Sequence, residues 1–215
     1  MRTEAAIQNA GSLRDRKKAR QTEALVAAAV GLFRDIGFEK TRMEDIAAAA
    51  EVSVATVYNY FTTKQQILLA IVRKNIQDSQ ELTTPIVESP PADPVEAIVT
   101  IVRADFGDMD RDADKKLWRE LLASMIRDDE NRTEIENLRG LFRSNLRQLI
   151  RLLIDRGDIR KTADVEATTD IIYAIYAYHF RQLVCIKPMK TVAAIKSVRR
   201  DITALLSGSL APAKR

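Results

Sequence analysis

Side chains suited to hydrogen bonding are concentrated between Thr41 and Lys64, in the segment TRMEDIAAAAEVSVATVYNYFTTK. This segment offers phenol hydroxyls at Tyr58 and Tyr60 and a carboxamide at Asn59. None of these groups is a nucleophile with a neighbouring base, so they suit recognition rather than bond cleavage. Hydroxyl and ammonium groups bind phosphate oxygens, and asparagine matches the edge of adenine.

The sequence offers no combination of residues that would support catalysis. His179 is the single histidine and Cys185 the single cysteine, and their separation does not place them on one face of a straight helix. A lone cysteine also excludes a disulfide within one chain and a cysteine zinc site. The acidic segment 105–114 imitates an EF-hand, but Ala113 and Arg119 stand where its glycine and bidentate glutamate are required. We therefore expect no enzyme activity, no metal and no cofactor.

Two short helices joined by a tight turn are predicted to position the recognition groups. Apolar residues at positions 43, 46, 47 and 50 predict the first helix, with Thr41 and Glu44 forming a capping box. Ser53 is the N-cap candidate for a second helix over residues 54–60. Two helices at this spacing outline a helix-turn-helix, whose second helix enters the major groove of DNA.

A basic run precedes this pair on a longer predicted helix, which covers about residues 16–36 and ends before Gly37. Five basic residues stand against one acidic residue in the sequence RDRKKAR, from Arg14 to Arg20. The run is either a solvated helical turn or a contact with phosphates. Beside a helix-turn-helix we favour phosphate contact, because neutralising the backbone is the main sequence-independent source of DNA affinity. The net charge of +4 permits such binding without requiring it.

The order of these residues resembles the TetR family of bacterial repressors, over the stretch from about Ala19 to Leu69. The resemblance rests on Gly37-Phe38, Thr41, Asp45-Ile46-Ala47, Val52-Ser53, Thr56-Val57-Tyr58, Tyr60-Phe61 and Lys64. It implies an N-terminal three-helix DNA-binding domain, followed by an all-helical domain that binds a small effector and forms a homodimer.

Carried over position by position, the resemblance implies that Thr41 and Lys64 hold phosphates and that the second helix faces the groove. Val57 and Phe61 are expected to face the core instead. Together with the basic run, the predicted DNA-binding residues are Arg16, Lys17, Lys18, Thr41, Arg42, Ser53, Val54, Ala55, Thr56, Tyr58, Asn59, Tyr60 and Lys64.

Two residues depart from the family pattern. Glu51 stands where the family usually has glycine, and a residue with a side chain in a left-handed turn costs roughly 1 kcal/mol. Ala55 stands where glycine or proline is frequent. Neither residue is incompatible with the fold, but both leave the base specificity open.

The remaining chain reads as helical, so we predict an all-α protein of about nine helices, with an N-terminal helix-turn-helix DNA-binding domain and a C-terminal helical ligand-binding and dimerisation domain. The expected parts are a flexible arm (1–13), the DNA-binding domain (14–62), a connecting helix (63–82), the effector-binding and dimerisation domain (83–207) and a flexible tail (208–215). A proline-rich break over residues 83–94 marks the second boundary. No membrane span or signal peptide is expected, which favours the cytoplasm.

Apolar stripes in the second domain give candidates for two surfaces. Residues 171–180, IIYAIYAYHF, are apolar nearly all round, so we expect the domain interior to cover one side and a second subunit the other. The candidate effector pocket comprises Phe106, Trp118, Leu122, Met125, Tyr173, Tyr176 and His179, although core packing alone could explain most of them. The candidate dimer interface comprises Ile171, Ile175, Tyr178, Val192, Ile195, Val198, Ile202 and Leu205.

Four arginines recur at every fourth position of a predicted helix, at Arg139, Arg143, Arg147 and Arg151. Like charges at this spacing repel one another mildly. We therefore expect solvent or acidic neighbours around them, with a role in binding an anionic ligand as the alternative.

These features predict a homodimeric transcriptional repressor that a small-molecule effector releases from a palindromic operator. Its partners would be double-stranded DNA, a second copy of itself and an unidentified effector. The alternative is a helical interaction or sensor module that keeps the fold without reading DNA; Thr41, Tyr60 and Lys64 argue against that alternative. A helical enzyme has no supporting residues.

Overall fold

The computed structural model describes the backbone of residues 2–127, 129–186 and 188–207, and the side chains of residues 14–124, 132–137, 139–186 and 188–207. Over these residues the chain forms helices and no strand, which confirms the all-α prediction. The helices are α1 (Arg2–Asp35), α2 (Met43–Ala49), α3 (Val54–Tyr60), α4 (Lys64–Glu88), α5 (Pro94–Phe106), α6 (Asp112–Arg127), α7 (Asp129–Arg156), α8 (Val165–Cys185) and α9 (Thr191–Leu206).

The chain divides into two compact units, an N-terminal unit up to Ile71 and a C-terminal unit from Val72. The division falls inside α4. Ile67 and Leu68 on its first turns are buried, and Ser79 further along donates a hydrogen bond to Asp105 of the C-terminal unit. Helix α4 therefore belongs partly to each unit, whereas residues 63–82 were expected to form a connector between them.

The N-terminal unit is a small three-helix core closed by the start of α4. Helix α1 contributes Leu25 and Phe33, α2 contributes Ile46, and all three side chains are buried. Gly37 has a φ of 89°, so the chain turns sharply after α1, as its position predicted. Phe38 then enters the core and packs edge-on against Phe33, with 5.1 Å between ring centroids.

In the C-terminal unit, α5 packs against α7 and α9, and α8 packs against α6, α7 and α9. Pro94 opens α5, whose first turn is capped because the Asp93 carboxylate accepts from the Glu96 N–H. Residues buried in this core include Ile98, Ile101, Val102, Leu146, Leu149, Leu153, Ile172, Leu183, Val198 and Ile202. Each fully buried side chain of this size contributes about 1.5–3 kcal/mol before the entropy of ordering is subtracted.

Two helix boundaries differ from the sequence prediction. Helix α1 begins at Arg2, so the backbone of the expected arm is helical; this stretch is rich in helix-forming alanine, and each added residue gains a hydrogen bond. Helix α4 continues through Pro85 to Glu88. The proline removes one backbone donor and its ring crowds the carbonyl four residues earlier. The helix nevertheless continues for one more turn, where the Ser89 N–H bonds to the Pro85 carbonyl and Ile86 packs against the core. The side chains of residues 2–13 and the expected tail over 208–215 lie outside the described part.

None of the helices in the described part of the chain has both the length and the apolar character needed to cross a lipid bilayer.

Candidate nucleic-acid interface and buried polar site

Helix α3 presents one face to the core and the other to solvent. The Ser53 hydroxyl accepts from the Thr56 N–H at 3.1 Å, which confirms Ser53 as the N-cap. Val57 and Phe61 are buried, as predicted. Tyr58 is 46% exposed, and Val54, Ala55 and Asn59 are also exposed. The exposed face therefore carries a phenol and a carboxamide on a rigid support, as a recognition helix requires.

The turn between α2 and α3 contains the only residue with a side chain at positive φ in the described part of the chain. Glu51 has a φ of 54°. Its N–H donates to the Ala48 carbonyl, and the Val52 N–H donates to the Ala47 carbonyl at 2.9 Å. This pair of bonds is the Schellman closure of a helix, whose left-handed residue is usually glycine. The left-handed turn inferred from the family pattern is thus present, with a glutamate in the glycine position.

Replacing Glu51 with glycine is expected to stabilise the N-terminal unit by about 0.5–1 kcal/mol, because glycine adopts this φ without the Cβ clash. The measurement is the urea unfolding midpoint. Ala48→Gly, in the exposed interior of α2, is the matched control and should destabilise by about 1 kcal/mol. A lower midpoint for Glu51→Gly than for the unchanged chain would contradict the prediction.

Thr41 does not occupy the position predicted for it. Its side chain is only 1% exposed, and its hydroxyl donates to the Gly37 carbonyl at 2.8 Å. The N-cap of α2 is Arg42, whose N–H donates to the Asp45 carboxylate at 2.8 Å. The prediction of a capping box between Thr41 and Glu44 is therefore wrong, and the Thr41 hydroxyl already donates its hydrogen within the turn after α1.

Lys64 is also bound within the N-terminal unit. Its Nζ donates to the Phe38 carbonyl at 2.7 Å and to the Glu39 carbonyl at 3.2 Å. The same ammonium lies 4.7 Å from the centroid of the Phe38 ring. Lys64 thus ties the start of α4 to the turn between α1 and α2, although the sequence predicted that it binds a phosphate.

Lys64→Ala is expected to weaken DNA binding without changing its salt dependence. The variant loses two hydrogen bonds to carbonyls, so the turn carrying Arg42 loosens and the N-terminal unit loses about 1–2 kcal/mol. Removal of a lysine that binds a phosphate would instead reduce the magnitude of the slope of log K against log salt by about 1. Titrations at several salt concentrations measure the slope, and a loss of about 1 would restore the phosphate role.

The remaining predicted DNA-binding residues are placed on the surface. Arg16, Lys17 and Lys18 are exposed on α1, and Arg42 is exposed at the start of α2. Thr56 and Tyr60 are half-buried, and the Thr56 hydroxyl is hydrogen-bonded to that of Ser53 at 2.8 Å. Ser53 and Thr56 are therefore already paired with each other, and Tyr58 and Asn59 are the more available polar groups of α3.

An aromatic cluster lies inside the C-terminal unit. Tyr176 stacks on Tyr173 and packs against Phe106 and Phe142, with centroid distances of 4.5 to 5.6 Å. Phe180 extends the cluster toward Trp118, whose ring lies 5.1 Å away. The structure thus brings together four predicted pocket residues, while Leu122 packs against the same core from a half-buried position. The side chain of Met125 lies outside the described residues.

A buried carboxylate adjoins these rings. Asp105 accepts hydrogen bonds from the Ser79 hydroxyl and, at 2.6 Å, from the Tyr176 hydroxyl. Burial raises the pKa of the Asp105 carboxyl, although both hydroxyls and the Arg139 charge act in the opposite direction. Burial likewise raises the pKa of Tyr176 well above its usual value. The sequence analysis overlooked Asp105, although its spacing from Ile98 and Val102 places it on the apolar face of α5.

His179 belongs to a different contact from the aromatic cluster. Its side chain is 4% exposed, and its Nε2 lies 2.7 Å from the Asp201 carboxylate on α9. Arg200 and His179 together lower the pKa of Asp201. A hydrogen bond between two packed helices favours a structural role for His179 over the predicted contact with an effector.

Part of the predicted dimer interface is wrong. Ile195, Val198 and Ile202 are buried within the protomer, where α9 packs against α5 and α8, so they cannot meet a partner. Ile171, Tyr178 and Val192 are exposed, the last by 76%, and Ile175 and Leu205 are half-buried. The apolar stripe of α9 is thus the inner face of that helix.

A short helix-turn-helix with an exposed second helix defines the N-terminal unit as a helix-turn-helix domain. Residues 25–71 match the model of the bacterial regulatory proteins of the tetR family. The matched residues indicate the TetR family.

Curated relatives match between a third and three quarters of the chain. The chain is 33% identical to the transcriptional regulator RutR of Escherichia coli K12 over 72 residues, which is 34% of this chain and 34% of RutR. The match thus spans about a third of the length of RutR. The chain is also 28% identical to the regulator BetI of Agrobacterium fabrum over 159 residues, which is 73% of this chain and 75% of BetI.

The whole fold is also found among solved structures. FadR of Thermus thermophilus, a TetR-family transcriptional repressor solved in complex with lauroyl-CoA, aligns over 90% of this chain and 97% of its own. The TM-score is 0.65 at 20% sequence identity, so the likeness establishes the fold alone.

Proposed function

We propose that the protein is a DNA-binding transcriptional regulator that acts as a homodimeric repressor. The observation that carries the proposal is the division of α3, which buries Val57 and Phe61 and exposes Tyr58 and Asn59. A helix held in this way can enter the major groove, where the Asn59 carboxamide would pair with an adenine edge. The match to the tetR family model over the same residues supports it.

We propose that phosphate contacts come from the basic run on α1 and from Arg42. Arg16, Lys17 and Lys18 are exposed, so their charges are available to the DNA backbone. Thr41 and Lys64 would act indirectly, since each is bonded to the turn that presents Arg42. Tyr58 and Asn59 would therefore determine sequence preference, and the basic residues would supply affinity.

We propose that the C-terminal unit binds an effector and joins two protomers. The aromatic cluster around Tyr176, with Asp105 beside it, is the candidate effector site. The structure of FadR with lauroyl-CoA supports effector binding in a protein of this fold. The candidate dimer contacts are the exposed apolar side chains Ile171, Tyr178 and Val192, because covering exposed apolar surface with a second protomer is favourable.

A symmetric dimer would place two copies of α3 on half-sites of a palindromic operator, and the effector would favour a state that no longer matches their spacing. Such a regulator carries out no reaction of its own. Its DNA target implies action in the cytoplasm of a bacterial cell.

A gel-shift experiment with the region upstream of its own gene tests the function. The unchanged chain should give a salt-dependent complex that unlabelled specific DNA displaces and unrelated DNA does not. Asn59→Ala should weaken the complex by about 1–3 kcal/mol and relax its selectivity. Absence of selective binding at any salt concentration would reject the regulator and favour the interaction module.

A further inference from the structure

The arginine stripe of α7 is paired with carboxylates at three of its four positions. Arg143 is bonded to Asp170, and Arg147 and Arg151 both face Glu166. These partners lie on α8, so the stripe forms ion pairs between two packed helices, as expected. Arg139 is the exception, since the centre of its guanidinium lies 5.4 Å from the ring centroid of Phe180.

The surroundings of Arg139 are mostly aromatic. The guanidinium is hydrogen-bonded to the Tyr173 side chain and lies near Tyr176 and the Asp105 carboxyl, which helps to raise the pKa of Arg139. Both oxygens of the Asp105 carboxylate are already used, one by the Ser79 hydroxyl and the other by the Tyr176 hydroxyl. Among the residues whose side chains are described, Arg139 forms no ion pair within salt-bridge distance. Its guanidinium therefore remains a charged donor at the edge of an apolar cluster.

We propose that Arg139 binds the anionic group of the effector, a carboxylate or phosphate attached to an apolar chain. The inference rests on the proposed function, because it names the ligand class of the site in the C-terminal unit. A guanidinium offers a planar fork of N–H donors that matches both oxyanions. Phe180, Tyr173 and Trp118 would cover the apolar chain, since all three belong to the same ring cluster.

An anion suits this site better than a cation. The guanidinium keeps its charge throughout the physiological pH range, whereas burial favours the neutral form of Asp105. The Arg139 guanidinium already lies over the ring of Phe180. A cationic ligand bound beside that ring would therefore be repelled by the positive charge of Arg139. The other three arginines of the stripe are paired with carboxylates of α8, and an anionic ligand would give Arg139 the same kind of partner.

Trp118 provides the readout, because it is the single tryptophan of the chain and its ring lies 5.1 Å from that of Phe180. The full chain is titrated with octanoate, octyl phosphate and octylammonium, which share one alkyl chain and differ in the charged group. We expect octanoate or octyl phosphate to change the Trp118 emission saturably and octylammonium to have little effect. The stronger of the two anions identifies the oxyanion.

Variants assign the binding to Arg139. Arg139→Gln should weaken anion binding by at least about tenfold, and Arg139→Lys should retain part of it. The matched control is Arg151→Gln, on the same helix and exposed, which should bind like the unchanged chain. Asp105→Asn should bind the anion as well as the unchanged chain, because burial already favours the neutral form of Asp105.

Three outcomes would overturn the proposal: stronger binding of octylammonium than of both anions, equal anion binding by a folded Arg139→Gln variant, or no saturable change with either anion. The titration contains no DNA, so its failure leaves the regulator proposal intact. Conversely, a failed gel shift with a successful titration would reject only the regulator.

Discussion

Asp105→Ala should be among the most destabilising single changes in the C-terminal unit, lowering the free energy of unfolding by about 2–4 kcal/mol. The Ser79 and Tyr176 hydroxyls would lose their acceptor inside the protein, and the Arg139 charge would lose its nearby carboxylate. Urea unfolding followed by Trp118 fluorescence measures the change. Asp155→Ala, at an exposed position of α7, is the matched control and should stay within about 0.5 kcal/mol of the unchanged chain.

Asp105→Asn separates the loss of hydrogen bonds from the loss of charge. A carboxamide can accept from one hydroxyl and donate to the other, so this variant should unfold within about 1 kcal/mol of the unchanged chain at neutral pH.

Burial raises the folded-state pKa of Asp105, so the folded chain holds this proton more tightly than the unfolded chain. The resulting stability is fully present below the unfolded-state pKa and is lost as pH rises through the folded-state pKa.

The unchanged chain should therefore lose stability over that pH interval relative to Asp105→Asn, which has no such proton. The measurement is the difference in unfolding free energy between the two chains at a series of pH values. A difference that stays constant with pH would show that Asp105 titrates as it does in the unfolded chain, which contradicts the effect of burial.

Replacing Arg16, Lys17 and Lys18 together with glutamine should cause the largest reduction in DNA affinity that leaves the fold intact. The three side chains are exposed on α1, so their removal disturbs no core packing. Each side chain that binds a phosphate contributes about one unit to the slope of log K against log salt. We therefore expect the slope to fall by about 1–3 units and the affinity to fall roughly tenfold to hundredfold.

A matched triple variant in the C-terminal unit controls for net charge. Lys161, Arg181 and Lys196 are exposed, and changing them to glutamine removes the same charge from the chain as a whole. This variant should bind operator DNA with nearly the original slope. Equal reductions in affinity for the two triple variants would mean that overall charge, rather than the basic run, supplies the affinity.

The helix-turn-helix could be predicted from sequence because its signals are local. Ser53 caps the helix that follows it, and Gly37 ends the helix before it, whichever elements surround them. The spacing of four residues between Val57 and Phe61, with polar residues between them, also indicates which side of α3 is buried. Signals of this kind depend on a few neighbouring residues, so they survive without knowledge of the tertiary contacts.

The partners of polar side chains could not be predicted in the same way. Lys64 is equally suited to a phosphate and to a carbonyl, and the Phe38 carbonyl that binds it is 26 residues away in the chain. The apolar stripe of Val198 and Ile202 showed that α9 has a covered face but not which chain covers it. Arg139 differs from Arg143 only in what the neighbouring helices place beside it.

The packing of α5 against α9 also has a consequence for synthesis of the protein. The N–H of Thr191 at the start of α9 is held by the carboxylate of Asp110, which lies 81 residues earlier, just after α5. At ribosomal rates of about 5–20 residues per second, α5 emerges roughly 4–16 s before the helix that covers it. During this interval the apolar side chains of Ile98 and Val102 lack the cover of α9, so a nascent chain halted before Thr191 should be prone to capture by chaperones and to aggregation.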